Sequence, residues 1–187
     1  MKELTLIALP GSLRRESLNA RLLHAAAALA PEGVAIEVAS LSGIPLYNAD
    51  EEAVQGIPSA VAALKDRIAA SDGLLLASPE YNSGIPGVFK NAIDWLSRPP
   101  KDIGRVFHDR PVALMGATPG GMGTVLAQGA WLPVLRALKV QLWNGGRMTL
   151  SRAPGVFDDD GQLVDEDTRT QLRDYVAGFS EFIRTGH

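Results

Sequence analysis

Three loop-like segments hold most of the side chains that could do chemistry in this sequence of 187 residues. The first, residues 10–19, reads Pro-Gly-Ser-Leu-Arg-Arg-Glu-Ser-Leu-Asn. It offers one glycine for a tight turn, two hydroxyls, one guanidinium and one amide, from Gly11, Ser12, Ser17, Arg14 and Asn19. A helix that begins here would present unpaired N–H groups and a partial positive charge, and an arginine adds charge-assisted bonds. The segment therefore predicts a phosphate site.

The type of phosphate is narrowed by what the sequence lacks. The first segment has no Lys-Ser/Thr ending of a P-loop, and no G-x-G-x-x-G occurs in the chain, which argues against ATP chemistry and a dinucleotide Rossmann site. A phosphomonoester such as that of FMN fits better. The alternative is that Ser17 only caps a helix while Arg14 and Arg15 are solvated.

The second segment, residues 78–87, is partly preset by two prolines and two glycines, so its backbone can approach a flat ligand closely. The pyrimidine edge of an isoalloxazine needs hydrogen-bonding groups, which the backbone around residues 80–83 and the Asn82 amide could supply. Tyr81 could pack at the ring edge or against a second substrate. Alternatively, Tyr81 is a plain interface aromatic and the prolines are simple turn formers.

The third segment, residues 117–123, places Thr118 and three glycines just before a predicted helix. N–H donors from Gly120, Gly121 and the helix start would stabilise negative charge on a reduced flavin. The alternative is a merely flexible connection.

These segments must be positioned by a regular framework, and the sequence predicts an α/β fold. Five apolar runs read as buried strands, at residues 4–9, 35–39, 73–77, 112–116 and 140–143. Five stretches read as helices, at residues 19–30, 58–71, 88–97, 124–138 and 166–184, the last capped by Asp165. Right-handed crossovers give a flavodoxin-like three-layer sandwich, residues 1–187 as one domain, with a parallel sheet of order 2-1-3-4-5. The three segments then share the edge where the strands end.

Composition excludes several classes of function. The 18 Lys and Arg against 21 Asp and Glu leave no basic field for nucleic acid or an anionic membrane. With no cysteine, disulfides, zinc-thiolate sites and thiol nucleophiles are absent. His24, His108 and His187 have no metal or triad spacing, so no metal site is expected. No signal or membrane segment is visible, so we expect a cytoplasmic protein without nucleic-acid or membrane partners.

The predicted helix at residues 88–97 has an apolar arc of roughly 160°, wider than a surface helix needs. The surplus, including Trp95, predicts contact with a partner chain, although core packing alone could account for it.

Three motifs together resemble the NADPH-dependent FMN reductase family, especially its quinone and chromate reductase branch. They are G-S-L-R-R-E-S-L-N at 11–19, P-E-Y-N-S-G-I-P-G at 79–87 and K-N-A-I-D-W-L-S-R-P at 90–99, with P-L-Y-N-A-D at 45–50 in support. The resemblance implies bound FMN and two-electron transfer from NADPH or NADH to quinones, with chromate, azo dyes or ferric chelates as further acceptors. It also implies a homodimer or homotetramer.

The resemblance also assigns site residues, and gives none of them the role of acid, base or nucleophile. Those for the phosphate are Ser12, Arg14, Ser17, Leu18 and Asn19. Those for the isoalloxazine are Pro79, Glu80, Tyr81, Asn82 and Ser83, and Thr118 matches a hydroxyl position in the third segment. Gly120 and Gly121 are added by the chemistry of that loop and not by the resemblance, since the family is more variable there. Two other functions stay open: an FMN reductase that releases free reduced flavin, and a flavodoxin-like electron carrier, although carriers are usually more acidic than the net charge of -3 found here.

Overall fold

A computed structural model describes residues 3–186 and contains one sheet in which every strand pairing is parallel. Its strands are β1 (Leu4–Pro10), β2 (Val34–Val38), β3 (Gly73–Ala77), β4 (Pro111–Ala117), β5 (Gln141–Leu142) and β6 (Met148–Leu150). The strand order is β2-β1-β3-β4-β5, with β6 also paired to β4. The flavodoxin-like prediction is therefore confirmed, and β1, β3 and β4 end side by side at one edge.

Helices cover both faces of the sheet. They are α1 (Leu18–Ala28), α2 (Ala49–Gln55), α3 (Ser59–Ala70), α4 (Gly87–Leu96), α5 (Ile103–Val106), α6 (Val125–Ala137) and α7 (Glu166–Thr185). One hydrophobic core lies between the sheet and α3, α4 and α6, and the other between the sheet and α1 and α7. Strands buried on both faces explain the continuous apolar runs in the sequence. Within residues 3–186, no helix is long and apolar enough to cross a membrane.

The fifth strand differs from the prediction because it is interrupted. β5 pairs only with the first two residues of β4, and β6 pairs with the last three. The intervening residues 144–147 are exposed. At this break the buried Tyr175 hydroxyl donates to the Leu114 carbonyl at 2.5 Å. A side chain thus supplies a hydrogen bond at the point where the strand pairing is interrupted.

The sequence does not predict helix α2, because this helix has no buried residue and so no hydrophobic period. Its start is fixed by polar contacts: the Asn48 side chain accepts from the Asp50 N–H at 3.0 Å. Its position is fixed by Glu52, which accepts from the Arg98 guanidinium and from the Tyr47 hydroxyl.

The expectation that Trp95 is left for a partner chain is wrong. Trp95 is 1% exposed within its own subunit, and its indole N–H donates to the Pro45 carbonyl at 2.9 Å. The edge of Tyr47 packs against it, with ring centroids 5.0 Å apart. The wide apolar arc of α4 is therefore covered by the sheet, α3 and the segment before α2 rather than by a second subunit.

Candidate functional site

The three predicted loops converge on one cleft at the carboxyl edge of the sheet. Its lining residues come from the loops after β1, β3 and β4: Ser12, Arg14, Ser17, Leu18, Asn19, Pro79, Glu80, Tyr81, Ala117, Thr118 and Pro119. The sequence predicts all of these except Ala117 and Pro119, whose only signal is position, since they flank Thr118. Asn82, Ser83, Gly120 and Gly121 are on the same loops but do not line the enclosed part.

The first loop ends in a helix start with unused donors. Ser17 caps α1 by accepting from the Ala20 N–H at 3.2 Å, so the helix-capping role that the sequence left open is confirmed. Its hydroxyl hydrogen remains available to a ligand. Within residues 3–186, the backbone N–H groups of Leu18 and Asn19, in the first turn of α1, donate to no acceptor. The arrangement suits an anion, because these N–H groups lie at the positive end of α1.

Gly11 allows the first loop to pack closely against the second. A Cβ at this position would overlap the Phe89 ring and lie 2.9 Å from Pro79. The absence of a side chain therefore lets the two loops pack in direct contact. Arg14 is exposed at the rim of the cleft, and its guanidinium has no protein partner in the described part of the chain.

The second loop forms a two-residue hairpin. Tyr81 and Gly84 exchange both backbone hydrogen bonds, at 3.1 and 3.0 Å. The residues between them, Asn82 and Ser83, have φ of 49° and 61°. Positive φ at both central positions is the type I′ pattern, so these two residues, rather than the glycines of the segment, carry the left-handed conformation. Strained non-glycine residues of this kind concentrate at functional sites.

Tyr81 leans across the cleft toward the first loop. Its side chain is 45% exposed, and its hydroxyl lies 3.4 Å from the Ser12 hydroxyl, a long contact for two oxygens. The exposed ring is available to a flat ligand.

The Glu80 carboxylate makes contacts that the sequence does not predict. Its carboxylate oxygen Oε2 accepts from the N–H groups of Leu126 at 2.9 Å and Ala127 at 3.1 Å, in the first turn of α6. Two of the donors that this helix start was expected to offer a ligand, the Leu126 and Ala127 N–H groups, are therefore already occupied by Glu80.

Asn19 is likewise engaged within the protein. It is 3% exposed, its side-chain N–H donates to the Ala117 carbonyl at 2.9 Å, and its side-chain oxygen accepts from the Ala117 N–H at 2.9 Å. The amide thus joins the first turn of α1 to the end of β4.

The third loop is ordered by backbone contacts rather than flexible. The Thr118 N–H donates to the Leu150 carbonyl and the Thr118 carbonyl accepts from the Ala153 N–H, while the Thr118 hydroxyl accepts from the Gly120 N–H at 3.3 Å. Among the described residues, the Gly121 N–H has no acceptor. Gly121 is therefore one of the donors of this loop that are left for a ligand.

The size of the cleft tests whether FMN fits. The enclosed part has a volume of about 80 Å³, well below the roughly 300 to 1,000 Å³ of pockets that enclose a whole ligand. It suits a small anionic group beside the α1 start, and a planar ring would extend over the open rim next to Tyr81. A wider cavity of about 590 Å³ lies between α6 and the break in the fifth strand, and contains none of the predicted residues.

Neither histidine in the described part of the chain lines this cleft. These two are His24 and His108, and His187 lies outside the described residues. Within residues 3–186, no cluster of acidic or histidine side chains could hold a metal ion.

Two carboxyls with altered pKa also lie elsewhere. The hydrogen bond from Arg98 holds the pKa of Glu52 below its usual range, and the hydrogen-bonded ion pair with Lys65 does the same for the pKa of Asp102. Neither carboxylate lines the cleft. These pairs are structural supports for α2 and α5.

Comparison with known proteins identifies the family of the chain. Residues 4–155 match the model of the NADPH-dependent FMN reductase family. The chain is 40% identical to an NAD(P)H-dependent FMN reductase of Pseudomonas aeruginosa, over 97% of this chain and 96% of the other. It is 38% identical to a 2-hydroxy-1,4-benzoquinone reductase of Burkholderia sp., over 93% of each.

A solved structure is similar throughout. The flavoenzyme NAD(P)H:(acceptor) oxidoreductase FerB of Paracoccus denitrificans superposes with a TM-score of 0.87 at 32% identity, covering 98% of each chain. The fold, the converging loops and the match over most of the sequence lead to one assignment. The chain belongs to the NADPH-dependent FMN reductase family and is an oxidoreductase.

Proposed function

We propose that the protein uses bound FMN to pass two electrons, as a hydride, from NADPH or NADH to quinones. The observation that carries the proposal is the single cleft in which a helix start suited to phosphate lies beside a strained hairpin and an exposed tyrosine ring. The family assignment supports FMN and NAD(P)H, and the relative named as a benzoquinone reductase supports a quinone acceptor.

The side chains have separate tasks in this proposal. Ser12, Arg14 and Ser17, with the Leu18 N–H, hold the phosphate through charge-assisted and neutral hydrogen bonds. The backbone of the hairpin at Asn82 and Ser83 meets the edge of the isoalloxazine.

When bound, FMN supplies the two-electron chemistry that no side chain of the protein can perform. The cleft contributes position and shielding rather than proton transfer. Among the described residues that line it, Glu80 is the one carboxylate, and it is committed to the start of α6. The open rim beside Tyr81 would receive the nicotinamide and the quinone in turn.

The turnover experiment varies NAD(P)H at several fixed quinone concentrations. If one face serves both substrates, they exclude each other and double-reciprocal plots give parallel lines. Intersecting lines would instead mean a second site. Absorption spectra provide the companion test: NADH or NADPH should bleach the bound flavin, and flavin that is reduced only by an added reductase protein would identify a carrier.

Further acceptors belong to the same proposal. These acceptors are chromate, azo dyes and ferric chelates. Chromate and ferric chelates should be reduced more slowly than quinones, since a flat quinone can stack beside the tyrosine ring. If free FMN is turned over faster than quinone, the protein supplies reduced flavin instead.

We also propose a homodimer or homotetramer. With Trp95 buried, the support comes from the exposed apolar side chains of α6, Val125, Leu126 and Leu132. Sedimentation at tens of micromolar measures the mass directly, and a strictly monomeric protein would contradict this part of the proposal.

A further inference from the structure

We propose that Asn19 and Glu80 act as positioning residues, whose side chains tie the three loops of the cleft together and bind no part of the cofactor. The inference rests on the proposed function, because it concerns how the cleft holds a flavin. It differs from what the sequence motifs imply, which is Asn19 at the phosphate and Glu80 at the isoalloxazine.

Asn19 ties the first loop to the third. Both of its side-chain polar atoms face one residue, Ala117, in two hydrogen bonds of 2.9 Å, and the pair is separated by 98 positions in the sequence. Ala117 directly precedes Thr118, so the clasp fixes the point where the third loop leaves β4. The Asn19 residue is 3% exposed. A ligand phosphate would have to replace one of two well-formed, buried bonds to reach it.

Glu80 ties the second loop to the start of α6, the helix that follows the third loop. The residue before α6, Thr124, makes no side-chain cap bond, and its hydroxyl instead accepts from the Gln128 amide at 3.0 Å. Glu80 replaces the missing cap from 46 and 47 positions away, with one oxygen bonded to two N–H groups. A carboxylate at a helix N-terminus is also favoured by the helix dipole. The position of α6 and that of the hairpin are therefore linked.

The two ties thus hold the third loop at its two ends, Asn19 at the end of β4 and Glu80 at the start of α6. The first and second loops also meet directly, through the packing of Gly11 against Pro79 and Phe89 and through the long contact between the Ser12 and Tyr81 hydroxyls. Loss of either tie should loosen the whole cleft rather than remove one ligand contact, so every part of a flavin should be held less well.

The chain contains a matched control for the Asn19 clasp. Asn91 makes a similar two-sided clasp, accepting from the Tyr47 N–H and donating to the Pro45 carbonyl, both at 2.8 Å, and it does not line the cleft. Asn91→Ala therefore loses the same kinds of bond without touching the three loops.

A second control matches the Glu80 cap. Asp165 caps α7 by accepting from the Thr168 N–H at 2.9 Å, and it also lies outside the cleft lining. Asp165→Ala therefore removes a carboxylate from a helix start that is remote from the flavin site.

The test compares FMN with riboflavin, which lacks the phosphate, in fluorescence titrations of the full chain. We expect Asn19→Ala and Glu80→Ala to weaken both flavins by a similar factor, on the order of tenfold for each lost tie. Glu80→Gln keeps an acceptor oxygen and should restore most of the affinity. Asn91→Ala and Asp165→Ala should lower the Tm yet leave both affinities unchanged.

Three results would contradict the inference, and the titrations and the Tm distinguish them from one another. If Asn19→Ala weakens FMN but not riboflavin, Asn19 is a direct phosphate ligand and the inference is wrong for it. If Asn19→Ala and Glu80→Ala lower only the Tm, as the controls do, both residues are merely structural and the inference is wrong for both. A wild-type chain that binds neither flavin contradicts the proposed function, and the inference with it.

Discussion

Two residues of the first loop, Arg14 and Ser17, differ in how much they contribute to the stability of the fold. Arg14 is exposed and its guanidinium has no protein partner in the described part of the chain, so its side chain contributes nothing visible to the fold. Ser17 is 4% exposed and caps α1, so it serves the fold and the proposed site at once. A substitution at Ser17 therefore changes stability as well as binding, and Arg14 provides the cleaner test.

We expect Arg14→Ala to weaken FMN binding by roughly 10- to 100-fold, because the phosphate loses charge-assisted bonds of about 1.5 to 3 kcal/mol. Riboflavin binding and the free energy of unfolding should stay unchanged. The matched control is Arg15→Ala, which removes a neighbouring exposed charge that does not line the cleft. Equal FMN affinity in Arg14→Ala and wild type would refute the phosphate assignment.

The same loop allows a second comparison that separates the cap from the phosphate contact. Ser17→Asp keeps a side chain that caps helices well, so the helix should stay stable. Its negative charge would repel the phosphate, so FMN affinity should fall more than riboflavin affinity. Thermal unfolding and the two titrations measure both effects. Equal losses for FMN and riboflavin would place Ser17 away from the phosphate.

Among the helices and strands, the close approach between β4 and α6 brings the third loop to the cleft. Gly116 in β4 lies against Thr124 and Ser78, where a Cβ would overlap the Thr124 hydroxyl oxygen and lie 2.5 Å from the Ser78 carbonyl oxygen. The Ser78 hydroxyl, in turn, accepts from the buried Trp131 indole of α6 at 2.9 Å. Packing of this kind leaves no room for a methyl group.

We expect Gly116→Ala to destabilise the protein by about 1 to 3 kcal/mol or more, since the clash includes a backbone oxygen that cannot rotate away. Gly129 in α6 is the matched control, because no atom beyond its chain neighbours and its own helix backbone lies within 4 Å of its would-be Cβ. Gly129→Ala should stabilise the protein by about 0.5 to 1 kcal/mol through helix propensity. Urea unfolding measures both changes, and equal midpoints for the two variants would contradict the packing argument.

Across the molecule, carboxylates remote from the cleft hold outer elements in place. Glu52 is paired with Arg98, Asp102 with Lys65, and Asp165 with the start of α7. The pKa of each of these carboxyls lies below its usual range, because hydrogen bonds to the charged form favour ionisation.

The cytoplasmic location and the single domain stay predictions from the sequence.

These pKa shifts predict acid sensitivity. A carboxyl whose pKa is lower in the folded state stabilises the fold above its unfolded pKa, and this contribution is lost as the pH falls through the folded value. The ordinary pKa values are 3.8 for Asp and 4.5 for Glu, so we expect the loss to begin near these values and continue below them. Glu52→Gln should be less stable than wild type at neutral pH, and the difference should shrink as the solution is acidified. A difference in Tm that is independent of pH would show that the Glu52 charge does not matter.

The order of the elements and the place of the site follow from local patterns in the sequence. Buried strands and amphipathic helices leave such patterns, and ligands bind beyond the carboxyl ends of parallel strands, which is enough to identify the three loops. The observed bounds of α1, α3, α4, α6 and α7 agree with the predicted ones to within two residues.

The task of each polar side chain depends instead on contacts made in the folded chain. Asn19 meets Ala117 and Glu80 meets Leu126 across long separations in the sequence, and Trp95 is covered by the segment before α2. No local pattern encodes such pairs, because a hydrogen bond depends on which atoms the tertiary structure brings within about 3 Å of each other.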